Sequence, residues 1–132
     1  MKEILLHLGL HKTGTTHVQK ALFASKKRLA KRGVLYAGEK FNLNVLGTAF
    51  AEDPLTTHLS WKWQSGFDEL VSFAAQSKDA LEQELRESTA ERALISAEVL
   101  TLLAPAEVER VVAWLRKAAQ RLRPCGAYVS PR

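Results

Sequence analysis

Ile4-Leu-Leu-His-Leu-Gly-Leu-His-Lys-Thr-Gly-Thr-Thr16 joins a short apolar run to a glycine loop and the start of a helix. Ile4 to Leu8 read as a buried strand, and Gly9 and Gly14 let the backbone turn with positive φ. From Thr15 onward the apolar positions recur with helical period. A helix starting there directs its unpartnered N–H groups into the loop, where they and the helix dipole favour a phosphate or sulfate. The hydroxyls of Thr13, Thr15 and Thr16 and the ammonium of Lys12 add side-chain contacts to such an anion. The stretch therefore reads as an anion cradle.

Working outward, strands and helices alternate along the chain. The first helix runs from Thr15 to about Arg32, with Val18, Leu22 and Leu29 on one face and Lys20, Lys27 and Lys31 opposite. Val34 to Tyr36 reads as a short strand, Gly38 to Asn44 as a loop, and Leu46 to Ala51 as a short helix. Asp53-Pro54 and the segment from Thr56 to Gly66, which holds Trp61 and Trp63, have no clear period. Phe67 to Glu87 reads as a helix with Leu70, Ala74, Leu81 and Leu85 on one face and Ser65 as its N-cap. Ala93 to Ala97 reads as a buried strand. Pro105 to Leu122 reads as a helix with the stripe Val108, Val111, Val112, Leu115, Ala119 and Leu122, and Gly126 to Val129 as a last strand. The order β-α-β-α-β-α-β predicts an α/β domain: three layers, a parallel sheet flanked by helices. The anion loop then lies at the carboxyl end of the first strand, where open α/β sheets bind ligands.

The spacing of Gly9, Gly14 and Thr16 fits the P-loop pattern G-x-x-x-x-G-K-[ST], but Thr15 occupies the position of the lysine that an ATP- or GTP-using loop carries. The lysine of this loop, Lys12, stands before Gly14 instead, which disfavours an NTPase or kinase.

The segment Gly-Leu-His-Lys-Thr-Gly-Thr-Thr closely resembles the 5′-phosphosulfate loop of sulfotransferases that use 3′-phosphoadenosine 5′-phosphosulfate (PAPS), most of all the bacterial branch. The resemblance implies a P-loop NTPase-like sulfotransferase fold in partial form, and transfer of a sulfuryl group from PAPS to a hydroxyl or amine. It implies Lys12 as the catalytic cation at the oxygen bridging phosphate and sulfate, and Thr13, Gly14, Thr15 and Thr16 as phosphate ligands. His11 lies inside the same loop, where it is a further candidate for contact with the phosphate or the substrate. Beyond the loop, Gln19, Gly33-Val-Leu-Tyr36 and Ile95-Ser-Ala-Glu98 follow the family's order of a helix with an early glutamine, a second strand, and a strand ending in a Ser-Glu pair. The family's arginine for the 3′-phosphate would close the strand Ala127-Tyr-Val-Ser-Pro-Arg132, where Ser130 stands in its place and Arg132 lies two residues on.

Sulfuryl transfer also needs a base for the acceptor proton. Glu39 is the leading candidate, because family members with glutamate bases place one after the second strand; an exposed turn carboxylate is the plainer reading. Glu98 and His58 are the alternatives, Glu98 because it follows an apolar strand and His58 because imidazole titrates near neutrality. Trp61 and Trp63 share a face if their segment is extended, as an acceptor platform, an adenine contact or simple packing. His7 reads as an ordinary strand histidine. The acceptor is not legible from these residues.

Composition sets the outer bounds. The 132 residues are 46% apolar, enough for one domain over residues 1–132, shorter than sulfotransferases of this type and so readable as an N-terminal portion, a truncated frame or a minimal relative. The single cysteine, Cys125, excludes an intrachain disulfide and a cysteine metal cage, and no metal is expected. No run is long and apolar enough for a transmembrane helix, and Met1-Lys-Glu leads straight into a strand without a signal-peptide core, so a cytoplasmic protein is expected. Of the net charge of +5, seven basic residues and no acidic one fall between Glu3 and Glu39. That potential suits an anionic nucleotide; no nucleic-acid motif accompanies it, so specific nucleic-acid binding is not expected. Two further functions stay open: a catalytically silent anion-binding or nucleotide-binding domain without a complete 3′-phosphate site, and a P-loop kinase or NTPase with a displaced lysine.

Overall fold

The computed structural model describes residues 1–8, 15–38, 43–52 and 66–125. Its first strand, β1 (Glu3–His7), is the centre of the molecule. Ile4 and Leu6 are buried on one face and Glu3 and His7 on the other, so both faces are covered, as parallel strands require. α1 (Thr15–Ala24) and α2 (Lys26–Lys31) follow, then β2 (Val34–Tyr36), α3 (Val45–Phe50), α4 (Phe67–Glu87), β3 (Arg92–Ser96), a 3-10 helix (Glu98–Leu102), α5 (Pro105–Arg116) and β4 (Arg121–Cys125).

The strands form one parallel four-stranded sheet in the order β2-β3-β1-β4. Ile4 faces Ala93 on one side and Leu122 on the other, and Tyr36 faces Leu94. From β1 the chain crosses β3 to reach β2, and from β3 it crosses β1 in the opposite direction to reach β4. Right-handed crossovers in opposite directions put their helices on opposite faces of the sheet. The contacts agree: α1 packs on α2 and α2 on β2, whereas α3 packs on α4 and α5 and α5 on β4. The result is the expected three-layer α/β arrangement. Among the described residues no helix is long and apolar enough to cross a membrane.

The core lies under α3, α4 and α5. Leu81 and Leu85 of α4, Val111, Trp114 and Leu115 of α5, and Leu46 and Phe50 of α3 close over Ile4, Leu6, Ala93 and Ile95. Phe50 and Trp114 meet with ring centroids 5.3 Å apart, and the Lys78 ammonium sits 5.0 Å and 5.8 Å from their centres. The ends of α4 coincide with those read from its period, but its N-cap position falls on Gly66, with φ of 117°, and not on Ser65, which lies outside the described residues. Only a residue tolerant of positive φ fits there, so the chain turns into the helix at the glycine.

Three further expectations are corrected. The first helix is two: at Ser25 the N–H is shared between the carbonyls of Ala21 and Leu22, both at 3.1 Å, and φ and ψ of −94° and 12° break the helical path. Its buried face is also displaced, since Val18 is 44% exposed while the neighbouring Gln19 is fully buried. An apolar count ranks valine first, but a buried hydrogen bond holds the glutamine inside. Third, the last helix ends at Arg116, and the strand after it begins at Arg121, inside the run read as helix; Gly126 to Val129 lie outside the described residues. Backbone N–H groups of Lys117 and Ala118 close a tight final turn on Trp114 and Leu115. Gln120 and Arg121 then donate to the carbonyls of Met1 and Lys2 and start the pairing with β1. Ala119 and Leu122 still pack on the core, and so extend the apolar stripe without extending the helix. Pro124 is accommodated because β4 pairs on one side only among the described residues.

Candidate functional site

The carboxyl ends of β1, β2 and β3 meet beneath the start of α1 through one buried hydroxyl. Ser96, the last residue of β3, has its Oγ 2.8 Å from His7 Nδ1 at the end of β1. Gln19, on the second turn of α1, donates from Nε2 to the same oxygen at 2.7 Å. Tyr36, the last residue of β2, forms a further side-chain hydrogen bond with Ser96. All four side chains are buried. A serine hydroxyl has one proton and two acceptor positions, and Gln19 takes one of the latter. Of His7 and Tyr36, one therefore donates to Ser96 and the other accepts from it. Burial pushes the Tyr36 hydroxyl above its ordinary pKa, and the bond with Ser96 only partly opposes this. The other end of the Gln19 amide, Oε1, is buried with no hydrogen-bond partner among the described residues.

This cluster fastens α1 to three strands. The loop that leaves β1 after Leu8 enters α1 at Thr15, so the orientation of the helix N-terminus is set by Gln19 and Ser96 from below. Phe23 of α1 adds an edge contact with Tyr36, with ring centroids 6.0 Å apart. The chain after β2 is pinned as well. Gly38, with φ of 96°, donates its N–H to Glu84 Oε1 at 2.8 Å and accepts from Lys26 Nζ at 2.7 Å. A Cβ at Gly38 would stand 2.5 Å from Leu43 Cδ2, so a side chain there would strain the backbone and displace Leu43. Leu43 in turn donates its N–H to the Ser96 carbonyl at 2.8 Å. Both anchors of the Glu39-bearing segment are therefore held next to the cluster.

Of the residues singled out from sequence, Thr15 and Thr16 are the first two of α1, where backbone N–H groups have no intrahelical acceptor. Glu98 opens the 3-10 helix after β3. His11, Lys12, Thr13, Gly14, Glu39, His58, Trp61, Trp63, Ser130 and Arg132 lie outside the described residues. His7 is a buried strand residue, as read, but its bond to Ser96 spans 89 positions and has no signature in sequence. Gln19, Tyr36 and Ser96 belong to three separate segments of the family resemblance, and the fold brings these three into one hydrogen-bonded group. No match to this chain is found among protein-family models, curated proteins or solved structures.

At the amino end of the sheet the electrostatics differ. Glu3 is buried on the same face of β1 as His7, and its carboxylate lies 3.9 Å from Arg92, 3.6 Å from Arg121 and 3.7 Å from Arg123. Arg92 and Arg121 are its partners in register on β3 and β4. These arginines were not legible as a group in the sequence, because their proximity depends on the sheet order.

Proposed function

We propose that this chain is a sulfotransferase that moves a sulfuryl group from PAPS to a hydroxyl or amine acceptor. The observation that carries the reading is His11-Lys-Thr-Gly-Thr-Thr16, placed by the chain between the carboxyl end of a central parallel strand and the first turn of α1. Open α/β sheets bind phosphorylated ligands at that position, where the strand order reverses.

In this reaction the bond from sulfur to the bridging oxygen of the 5′-phosphate breaks as the acceptor atom bonds to sulfur, and the acceptor loses its proton. Lys12 neutralises the charge that develops on the departing phosphate oxygen. The backbone and hydroxyls from Thr13 to Thr16 hold the phosphate in line with the acceptor. Glu39 receives the acceptor proton, on a segment whose two anchors are fixed by Gly38 and Leu43.

Calorimetric titration of 3′-phosphoadenosine 5′-phosphate, with adenosine 5′-phosphosulfate for comparison, tests the reading. Binding that depends on the 3′-phosphate, with Lys12→Ala lowering transfer by about a hundredfold and leaving unfolding unchanged, is the expected result. Weak binding indifferent to the 3′-phosphate, without transfer to any acceptor, would point to a silent anion-binding domain. Magnesium-dependent ATP hydrolysis that Lys12→Ala abolishes would point to a kinase or NTPase.

A further inference from the structure

We infer a binding site under α5 for a small anionic amphiphile. A cavity of about 410 Å³ opens between α5, the chain after β3, and the part of the sheet formed by β1 and β4. Leu8, Leu103, Val108, Val112 and Leu122 line it, and Arg116 is the charged residue among its walls. Its size lies in the range of small-ligand pockets, which are apolar with a few polar groups that orient the ligand. It reaches Leu8 and Pro124, at the carboxyl ends of β1 and β4, so a molecule bound there sits at the ligand-binding edge of the sheet.

The class of ligand follows from Arg116. Arg116 has no ion pair among the described residues, a state it shares with Arg28 and Arg32 of the opposite layer, but of the three only Arg116 lines this cavity. A guanidinium without a counter-charge beside an apolar cavity fits a carboxylate, sulfate or sulfonate attached to an apolar body. The cavity at the amino end of the sheet, about 430 Å³, lacks this character. There Lys2 is paired with Glu91, and Arg92 and Arg121 with Glu3.

The test is a fluorescence titration of the full chain with anilinonaphthalene sulfonate, and with phenylnaphthylamine as an uncharged probe of similar shape. Two variants at exposed positions keep the fold intact: Arg116→Ala and Val108→Lys. Saturable binding of both probes is expected. Arg116→Ala weakens the sulfonate about tenfold and leaves the uncharged probe within about twofold; Val108→Lys, which puts an ammonium in the apolar wall, weakens the uncharged probe most. Absence of saturable binding, or equal loss of both probes in Arg116→Ala, would overturn the site. Concentration-dependent self-association that Val108→Lys abolishes would also overturn it, by assigning the groove to a second copy of the chain. Each outcome is read without nucleotide, so it is independent of the sulfotransferase assignment.

Discussion

Strand β1 buries a polar side chain at each end of one face, His7 at the carboxyl end and Glu3 at the amino end, and the sheet satisfies them by different means. His7 enters a hydrogen-bond group with Ser96, Gln19 and Tyr36, roofed by α1. Glu3 is ringed by arginines whose side chains are 62%, 66% and 56% exposed. Inside, where water cannot substitute for a lost partner, each hydrogen bond is needed; at the rim, water and salt screen every charge. The interior group thus fixes geometry next to the loop, and the ion group contributes solubility and a modest electrostatic term.

The contrast breaks most readily at Ser96. Replacing it with alanine leaves the Gln19 amide and His7 Nδ1 without their shared partner, with an expected destabilisation of about 3 kcal/mol in urea unfolding. A loss under about 1 kcal/mol would mean that packing, and not hydrogen bonding, holds this end. Gly38→Ala tests the same end through the backbone. A positive φ and the overlap with Leu43 predict a loss of about 2 kcal/mol, measured by thermal unfolding.

The amino end should respond less. Glu3→Gln is expected to lower stability by about 1 kcal/mol at low salt, discounted for the exposure of the arginines, and by less than half of that in high salt. Equal losses at both salt levels would show the ion group to be as shielded as the Ser96 group.

A third region gives the smallest effect. Glu107 accepts from the backbone N–H of Ala104 at 2.7 Å and of Glu52 at 2.6 Å, tying the start of α5 to the end of α3. The Ala104 bond first, then the Glu52 bond, holds its carboxyl below the ordinary range. A carboxyl with a lowered folded pKa contributes stability above its unfolded pKa and loses it as pH falls through the folded value. Glu107→Gln should therefore lower the unfolding midpoint slightly at pH 7, with the difference from the parent chain shrinking in acid. A difference that grows in acid would reverse the assigned sign.

Much of this molecule was readable along the chain. The bounds of α4 and β2 and the alternation of strands and helices follow from local period and from Gly33, whose φ of 79° turns the chain from α2 into β2. Two of the misread features share one cause. Val18 and the stretch after Arg116 have patterns set by what covers them, which a helical wheel does not contain. At the candidate site, Gln19, Tyr36 and Ser96 were visible only as separate matches to a family pattern, and their meeting at one oxygen was not.

By itself the sequence determined the alternation of strands and helices and their parallel arrangement, because turns and period act over a few residues. Tertiary structure alone decided that β1 lies between β3 and β4, that Gln19 is inside while Val18 is not, and that Ser96 joins three strands to α1. Those outcomes depend on contacts between distant positions, and on the requirement that a polar atom removed from water find a partner wherever the fold supplies one.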